Sequence, residues 1–254
     1  MQWARSLRSY QRAHRPHLRR QSDRSLSSRY QDYTNFEGVQ STVEAFFELA
    51  SNGVDYANYW PTTFGGLTPT ERVLIQSSEG DLTFPGVAFQ LLSESVVGLN
   101  ALFDYEVPNA IDIHGFGDVD GDDVIKLVIF VGERSGAAQS DVTFDLGQYS
   151  LGQDYFSVTT TLESYMTETT GSSGTIEILV PTLVYGNGET IIEGGVNDDQ
   201  FEFGLDAFGT VRIELTAITE DSDTISGRGG DDHIEGRGGW DRLSGAGGND
   251  TIFG

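Results

Sequence analysis

The chain has no cysteine among its 254 residues. That excludes a disulfide framework, thiol catalysis and any thiolate metal site. It has no apolar run approaching the ~20 residues that a membrane-spanning helix needs. Basic residues are scarce outside one segment. Eight of the fifteen (Arg5, Arg8, Arg12, Arg15, Arg19, Arg20, Arg24 and Arg29) fall within residues 1–30, beside a single acid, Asp23. Residues 31–254 therefore carry 7 basic residues against 38 acids, a net charge of −31. A surface that acidic repels nucleic acid and anionic membranes and attracts cations. Bound cations would offset its self-repulsion; halophilic solubility is the alternative reason for such a charge.

The basic head also lacks the apolar core of a secretory signal peptide. Its Arg- and Ser-rich composition matches a transit peptide only superficially. Residues 1–34 are expected to be a basic disordered extension, or translated sequence upstream of the true domain, and no function is placed on them.

The remaining residues divide into three parts, giving a fold class that is mainly β with a partial α/β segment. Residues 35–104 read as helix–strand–loop–helix. Glu37–Ser51 carries Val43, Phe46, Phe47 and Ala50 on one helical face, with Ser41 and Glu44 at capping-box spacing. Val54–Trp60 reads as a strand halted by Pro61, and Val73-Leu74-Ile75 as a short apolar piece. A second helix starts near Pro85, which suits a first-turn position, and is expected to reach about Phe103. From 105 to 217 the period becomes two. Val124–Val131, Val142–Leu146, Tyr155–Leu162, Thr175–Tyr185, Thr190–Glu193, Gln200–Phe203 and Thr210–Ala217 are strand-like runs separated by turn residues, which predicts an antiparallel β-sandwich.

Residues 218–254 are repetitive. Gly227–Glu235, Gly236–Ser244 and Gly245–Phe253 each read Gly-x-Gly-Gly-x-Asp-x-(Ile/Leu)-x, after a degenerate unit ending Asp223-Thr224-Ile225-Ser226. Glycine-rich turns reach backbone conformations closed to other residues, and turn carbonyls with aspartate carboxylates are the hard oxygens that Ca2+ takes six to eight of. The aliphatic place (Ile225, Ile234, Leu243, Ile252) predicts short strands around a narrow core. The expected fold is a parallel β-roll in which each ion bridges turns two units apart. Asp232 and Asp250 then form the better site and Asp223 with Asp241 a poorer one; Gly227, Gly229, Gly236, Gly238, Gly245 and Gly247 belong to the ligating turns. Without calcium a flexible tail is expected, because so few packed aliphatics cannot offset the entropy of ordering the segment.

The nonapeptide resembles the RTX (hemolysin-type) calcium-binding repeat. That family usually has glycine at its second place, where this chain has Arg228, Arg237 and Ala246, and two arginines beside an ion site are expected to weaken it. The resemblance implies a secreted, extracellular bacterial protein with Ca2+ as its cofactor. RTX proteins generally continue into a capping and export segment, whereas the array here runs to Gly254.

A second resemblance covers about 65 residues. Val54–Pro61 followed by Leu82–Ser95 is similar to the end of a retaining glycoside hydrolase barrel of the arabinofuranosidase, xylosidase and agarase type, which often leads into a β-sandwich. It implies that the chain is the C-terminal part of a polysaccharide-active protein, with Trp60 as a sugar-stacking residue; an ordinary buried aromatic is the alternative. A complete barrel needs about 250 residues, and no position here matches the two catalytic carboxylates. No catalytic residue is therefore assigned. An intact hydrolase and a non-catalytic sugar-binding or adhesion module remain the alternatives.

Two further patterns are weaker. Asp118–Asp123 fails as an EF-hand, since its sixth and twelfth places are Asp123 and Ile129; an acidic hairpin turn is expected instead. The histidines His14, His17, His114 and His233 show no zinc spacing, with His114 expected in a loop. Gly115–Gly117 and Gly186–Gly188 are expected to be turns.

Overall fold

A computed structural model describes residues 36–54, 63–64, 74–76, 82–107, 111–120, 123–133, 135–145, 154–171, 174–191, 200–205 and 209–254. The described chain is mainly β. Helix α1 spans Phe36–Ser51 and α2 spans Phe84–Ser95. The strands are β1 Thr63–Phe64, β2 Ile75–Gln76, β3 Asn100–Val107, β4 Ile111–Asp120, β5 Asp123–Glu133, β6 Gln139–Asp145, β7 Tyr155–Gly171, β8 Gly174–Tyr185, β9 Glu189–Ile191, β10 Gln200–Leu205 and β11 Thr210–Ala217. Four three-residue strands complete the set: β12 Thr224–Ser226, β13 His233–Glu235, β14 Arg242–Ser244 and β15 Thr251–Phe253. Among the described residues no helix is long and apolar enough to cross a membrane.

The main sheet runs β3-β4-β5-β11-β7, and β7 is long enough to pair with β9 through residues 155–157 and with β8 through residues 160–171. These pairings are antiparallel. Both faces of the sheet are covered. Val128, Phe130, Phe116 and Leu162 point to one face, where Val39, Val43 and Phe47 of α1 and Phe84, Val87, Leu91 and Leu92 of α2 pack on them. Leu127, Ile129, Val131, Val211, Ile213 and Leu215 point to the other, under Val142 of β6 and Leu205 of β10. Those two strands form a separate antiparallel ribbon. Burial on both faces is why Val124–Val131 reads as an almost continuous apolar run, and the two β layers fit the expected sandwich.

All seven strand-like runs contain strands; β7 continues nine residues past Leu162 to Gly171, while Leu146, Ile192 and Glu193 lie outside the described residues. Two strands of the main sheet are not apparent from the sequence. β3 runs across positions 104 and 105, and β4 contains Gly115–Gly117, which is therefore no turn. A side chain at Gly115 would collide with the Phe103 ring, so this glycine serves close packing rather than chain reversal. His114 is likewise in a strand, buried, with Nδ1 3.2 Å from Asp104 Oδ1. The acidic segment does form a hairpin, with Asp120 opposite Asp123.

The helices differ from expectation at their ends. α1 begins five residues before Ser41, so Ser41 and Glu44 lie within it and form no cap. α2 is capped by Thr83, whose Oγ1 accepts from Gly86 N at 3.2 Å, with Pro85 in its first turn. It stops at Ser95, eight residues short of Phe103, because Gly98 takes a left-handed φ of 86° and β3 begins at Asn100.

Candidate metal centre

Each repeat folds as a turn followed by a three-residue strand. Strands of alternate repeats pair in parallel, eighteen residues apart: Ile225 opposite Leu243, and Ile234 opposite Ile252. Ile225 and Ile234 are fully buried and Leu243 partly so, against Phe156 and Val158 of β7 and Ile218. Ile252 is 44% exposed, so the narrow core holds three repeat aliphatics rather than four and borrows the rest from the main sheet.

The backbone of the turn is set by two left-handed residues. The second place has φ 71° at Arg228, 65° at Arg237 and 68° at Ala246; the fourth has 101° at Gly230, 107° at Gly239 and 120° at Gly248. The left-handed glycine is thus the fourth, which the repeat pattern alone does not single out although glycine stands there in all three units. The first-place glycines answer a different demand. A Cβ at Gly227 or Gly245 would run into the Asp232 or Asp250 carboxylate, and one at Gly236 would lie 2.6 Å from Asp241 Oδ2. Only glycine lets the sixth-place carboxylate fold back over its own turn. At the third place, a Cβ on Gly238 would strike the Glu220 carboxylate and one on Gly229 would stand 3.3 Å from the Tyr185 ring, whereas Gly247 faces open space.

The four aspartates meet in two pairs, each linked by a hydrogen bond across eighteen residues. Asp232 N donates to Asp250 Oδ1 at 3.2 Å, and Asp223 N donates to Asp241 Oδ1 at 3.0 Å. The carbonyl of Asp232 accepts from Thr251 N at 2.7 Å, as that of Asp223 does from Arg242 N at 2.8 Å. Thr219 N and Oγ1 donate to the Asp223 carboxylate at 2.7 and 3.1 Å. Asp232 is 2% exposed, and its Oδ2 has no hydrogen-bond partner among the described residues. Burial pushes its carboxyl above the ordinary range; the Gly188 N–H opposes this, and the Asp250 and Asp231 charges push it further up. A buried carboxylate with an unpartnered oxygen, crowded by its own sign of charge, is a place where a cation relieves a real cost.

No group of three or more His, Cys, Asp or Glu side chains converges among the described residues. A cation at either aspartate pair would take its remaining oxygens from backbone carbonyls or water, a mixed set that Ca2+ accepts and softer transition metals do not prefer.

The second-place arginines have partners outside the array. Arg228 Nη2 donates to the Glu94 carbonyl at 2.5 Å, at the end of α2, and pairs with Glu214 Oε2 of β11 at 3.2 Å. Arg237 pairs with Asp154, just before β7. The two arginines point away from the array to dock it on the sheet. Glu214 in turn pairs with the fully buried Arg212 at 3.0 Å and with Lys126 at 3.6 Å. His233 lies exposed beside Glu235, at 3.1 Å. Trp60 lies outside the described residues.

Comparisons with known proteins bear on this tail directly. Residues 218–252 match the family model of the RTX calcium-binding nonapeptide repeat, in four copies. No curated protein sequence matches the chain significantly. Among solved structures it is similar to a family 30 glycoside hydrolase endoxylanase from Clostridium papyrosolvens, with 15% identity and a TM-score of 0.43, over 74% of this chain and 40% of that one. A family 30 subfamily 8 xylanase from Clostridium acetobutylicum gives 11% identity and 0.44, over 74% and 41%. A family 44 xyloglucanase from Paenibacillus polymyxa gives 18% and 0.39, over 72% and 30%. The chain spans well under half the length of these three proteins. Residues 218–252 are RTX calcium-binding repeats, and the ion that such repeats take up is Ca2+.

Proposed function

We propose that this chain belongs to a secreted bacterial protein whose C-terminal repeats close into a parallel β-roll on meeting the millimolar calcium outside the cell. The observation that carries this is Asp232: a buried carboxylate, with an oxygen that has no partner among the described residues, facing Asp250 across the turn stack. One ion lies between turns 227–232 and 245–250, held by Asp232 and Asp250. A second lies between 218–223 and 236–241, held by Asp223 and Asp241. Carbonyls of the glycine-rich turns, including those of Gly227, Gly229, Gly236, Gly238, Gly245 and Gly247, supply the remaining oxygens. The ion contributes double positive charge where carboxylates crowd, and ties alternate turns together.

Calorimetric titration of the full chain with calcium, with magnesium as the comparison, tests the reading. Two calcium ions are expected at affinities of roughly 10⁻⁴–10⁻³ M, the range of extracellular modules, together with a gain of β signal in circular dichroism. Absence of both at about 10 mM calcium would sink it.

The sequence similarity of residues 54–61 and 82–95 to a glycoside hydrolase barrel end supports a separate proposal, that the parent protein acts on polysaccharide and that Trp60 contacts sugar. Glycan-array binding by the full chain, and its loss in Trp60→Ala, is the expected result. Retention of binding in that variant would remove Trp60 from the role.

A further inference from the structure

The array has a stacking rule that can be read from its own turns. Where turn 227–232 lies against turn 245–250, the Gly230 carbonyl sits over Gly248, so that a Cβ there would collide with it. Asp231 Oδ1 accepts from Asn249 N at 2.8 Å, Asp250 Oδ1 accepts from Asp232 N at 3.2 Å, and the Asp232 carbonyl accepts from Thr251 N at 2.7 Å. The strands 233–235 and 251–253 then pair in parallel.

The same five relations recur one step earlier, and the partner is no repeat. It is the loop between β8 and β9. The Gly186 carbonyl sits over Gly230, 2.8 Å from a Cβ placed there. Asn187 Oδ1 accepts from Asp231 N at 3.0 Å, Asp232 Oδ1 accepts from Gly188 N at 2.6 Å, and the Gly188 carbonyl accepts from His233 N at 2.8 Å. Glu189 then pairs in parallel with His233. Gly186, Asn187, Gly188 and Glu189 thus stand where the fourth to seventh places of a repeat would stand, 44 residues before Gly230–His233 instead of 18.

We infer that residues 186–189 are an out-of-sequence turn of the calcium array, and that Asn187 and Gly188 are positioning residues for Asp232. This rests on the proposed calcium binding. The turn has no carboxylate at its fifth or sixth place, and Glu189 stands at the seventh, in the strand, so it adds no ion of its own. Its sixth place cannot be aspartate, because a Cβ at Gly188 would collide with the Phe156 ring and approach Asp232 Oδ1 to 2.9 Å. Its work is orientation: Gly188 N–H occupies Oδ1 and leaves the buried Oδ2 facing its own turn, while Asn187 fixes the backbone at Asp231. The affinity of the Asp232–Asp250 site therefore depends on a loop of the main sheet. The Asp223–Asp241 site does not, since Thr219 of the adjoining segment holds the Asp223 carboxylate there.

Calcium titration of the full chain decides it, using N187A and N187D in the wild-type, D232N and D241N backgrounds. Asn187 is exposed, so truncating it leaves the cores intact, which circular dichroism checks. N187A is expected to weaken one of two ions by roughly tenfold, about 1.4 kcal/mol, and N187D, which keeps the acceptor oxygen, to restore it. In D241N, N187A should weaken the remaining ion; in D232N it should leave the remaining ion unchanged. Equal affinities in N187A and wild type, or equal weakening in both backgrounds, would overturn the inference alone. A wild-type chain that takes up no calcium would overturn the proposed calcium binding and this inference with it.

Discussion

At the scale of single residues, the second and fourth places of the repeat carry opposite lessons. Both are left-handed, a conformation that costs a non-glycine residue about 1–2 kcal/mol. Arg228 offsets that cost through the Glu94 carbonyl and Glu214, and Arg237 through Asp154. Ala246 has the same backbone and an apolar side chain with no hydrogen-bonding group to offset the cost. Ala246→Gly is therefore expected to stabilise the calcium-loaded chain by about 0.5–1 kcal/mol, once the extra freedom of glycine in the unfolded chain is discounted. Arg228→Gly should destabilise it. Calcium-dependent thermal melting of the two variants would check the pair, and a shift of the same sign in both would refute the argument. Asp232→Asn removes the charge at the buried oxygen, and one of the two ions should disappear from the titration while the other stays.

Among elements, the described chain contains two kinds of stability. Helix α2 rests on the large cluster built from both helices and the sheet, where Phe84, Leu91 and Phe116 are fully buried and Phe116 meets Phe130 edge-on at 5.9 Å. Phe84→Ala should cost about 3–5 kcal/mol, with calcium or without it, as read from denaturant melts. The strands β12–β15 are three residues each, and β12, β13 and β14 place one aliphatic each in a small cluster that β15 does not join. Ordering them costs about 1–2 kcal/mol per residue in backbone entropy, more than three aliphatic side chains return. Chelation of calcium should therefore abolish hydrogen-exchange protection in residues 221–254 and leave β5, β7 and β11 protected. Loss of protection in β5 at the same chelator concentration would mean that the two units unfold as one.

For the whole molecule, the joint between array and sheet is polar and charged as well as apolar. The fully buried Arg212 is bound by the Leu91 carbonyl, Glu94, Thr160 and Glu214, and Arg228 reaches into the same group. Burial lowers the affinity of Lys126 for its proton, with Glu214 opposing the shift, so Glu214 serves three cations at once. Removing Arg212 would leave Glu214 buried with less compensation, and Arg212→Ala is expected to destabilise the sheet by about 3–5 kcal/mol. Arg228→Ala with Arg237→Ala should leave the sheet folded and make residues 218–226 cleavable by protease at calcium levels that protect the parent chain. Equal protection of both would show that the docking arginines are dispensable.

The period of nine, the aspartate at the sixth place and the aliphatic at the eighth were legible from the residues alone, because each is a local demand: a tight turn, a hard oxygen, a strand facing inward. The seven strand-like runs are legible from their β-branched and aromatic residues set between turn residues. What the residues did not disclose is everything set by distant neighbours. Gly115 reads as a turn because its partner, the Phe103 ring, lies on another strand. The partners of the second-place arginines are hidden for the same reason, because Glu214, Glu94 and Asp154 are not near them in sequence. The loop Gly186–Gly188 carries no repeat signature, since its relation to Gly230–His233 exists only after β7, β9 and β13 have come together. Local chemistry determined that this chain has turns suited to calcium; tertiary packing decided what those turns stand on, because hydrogen bonds and charge pairs across the joint depend on position in space and not on spacing along the chain.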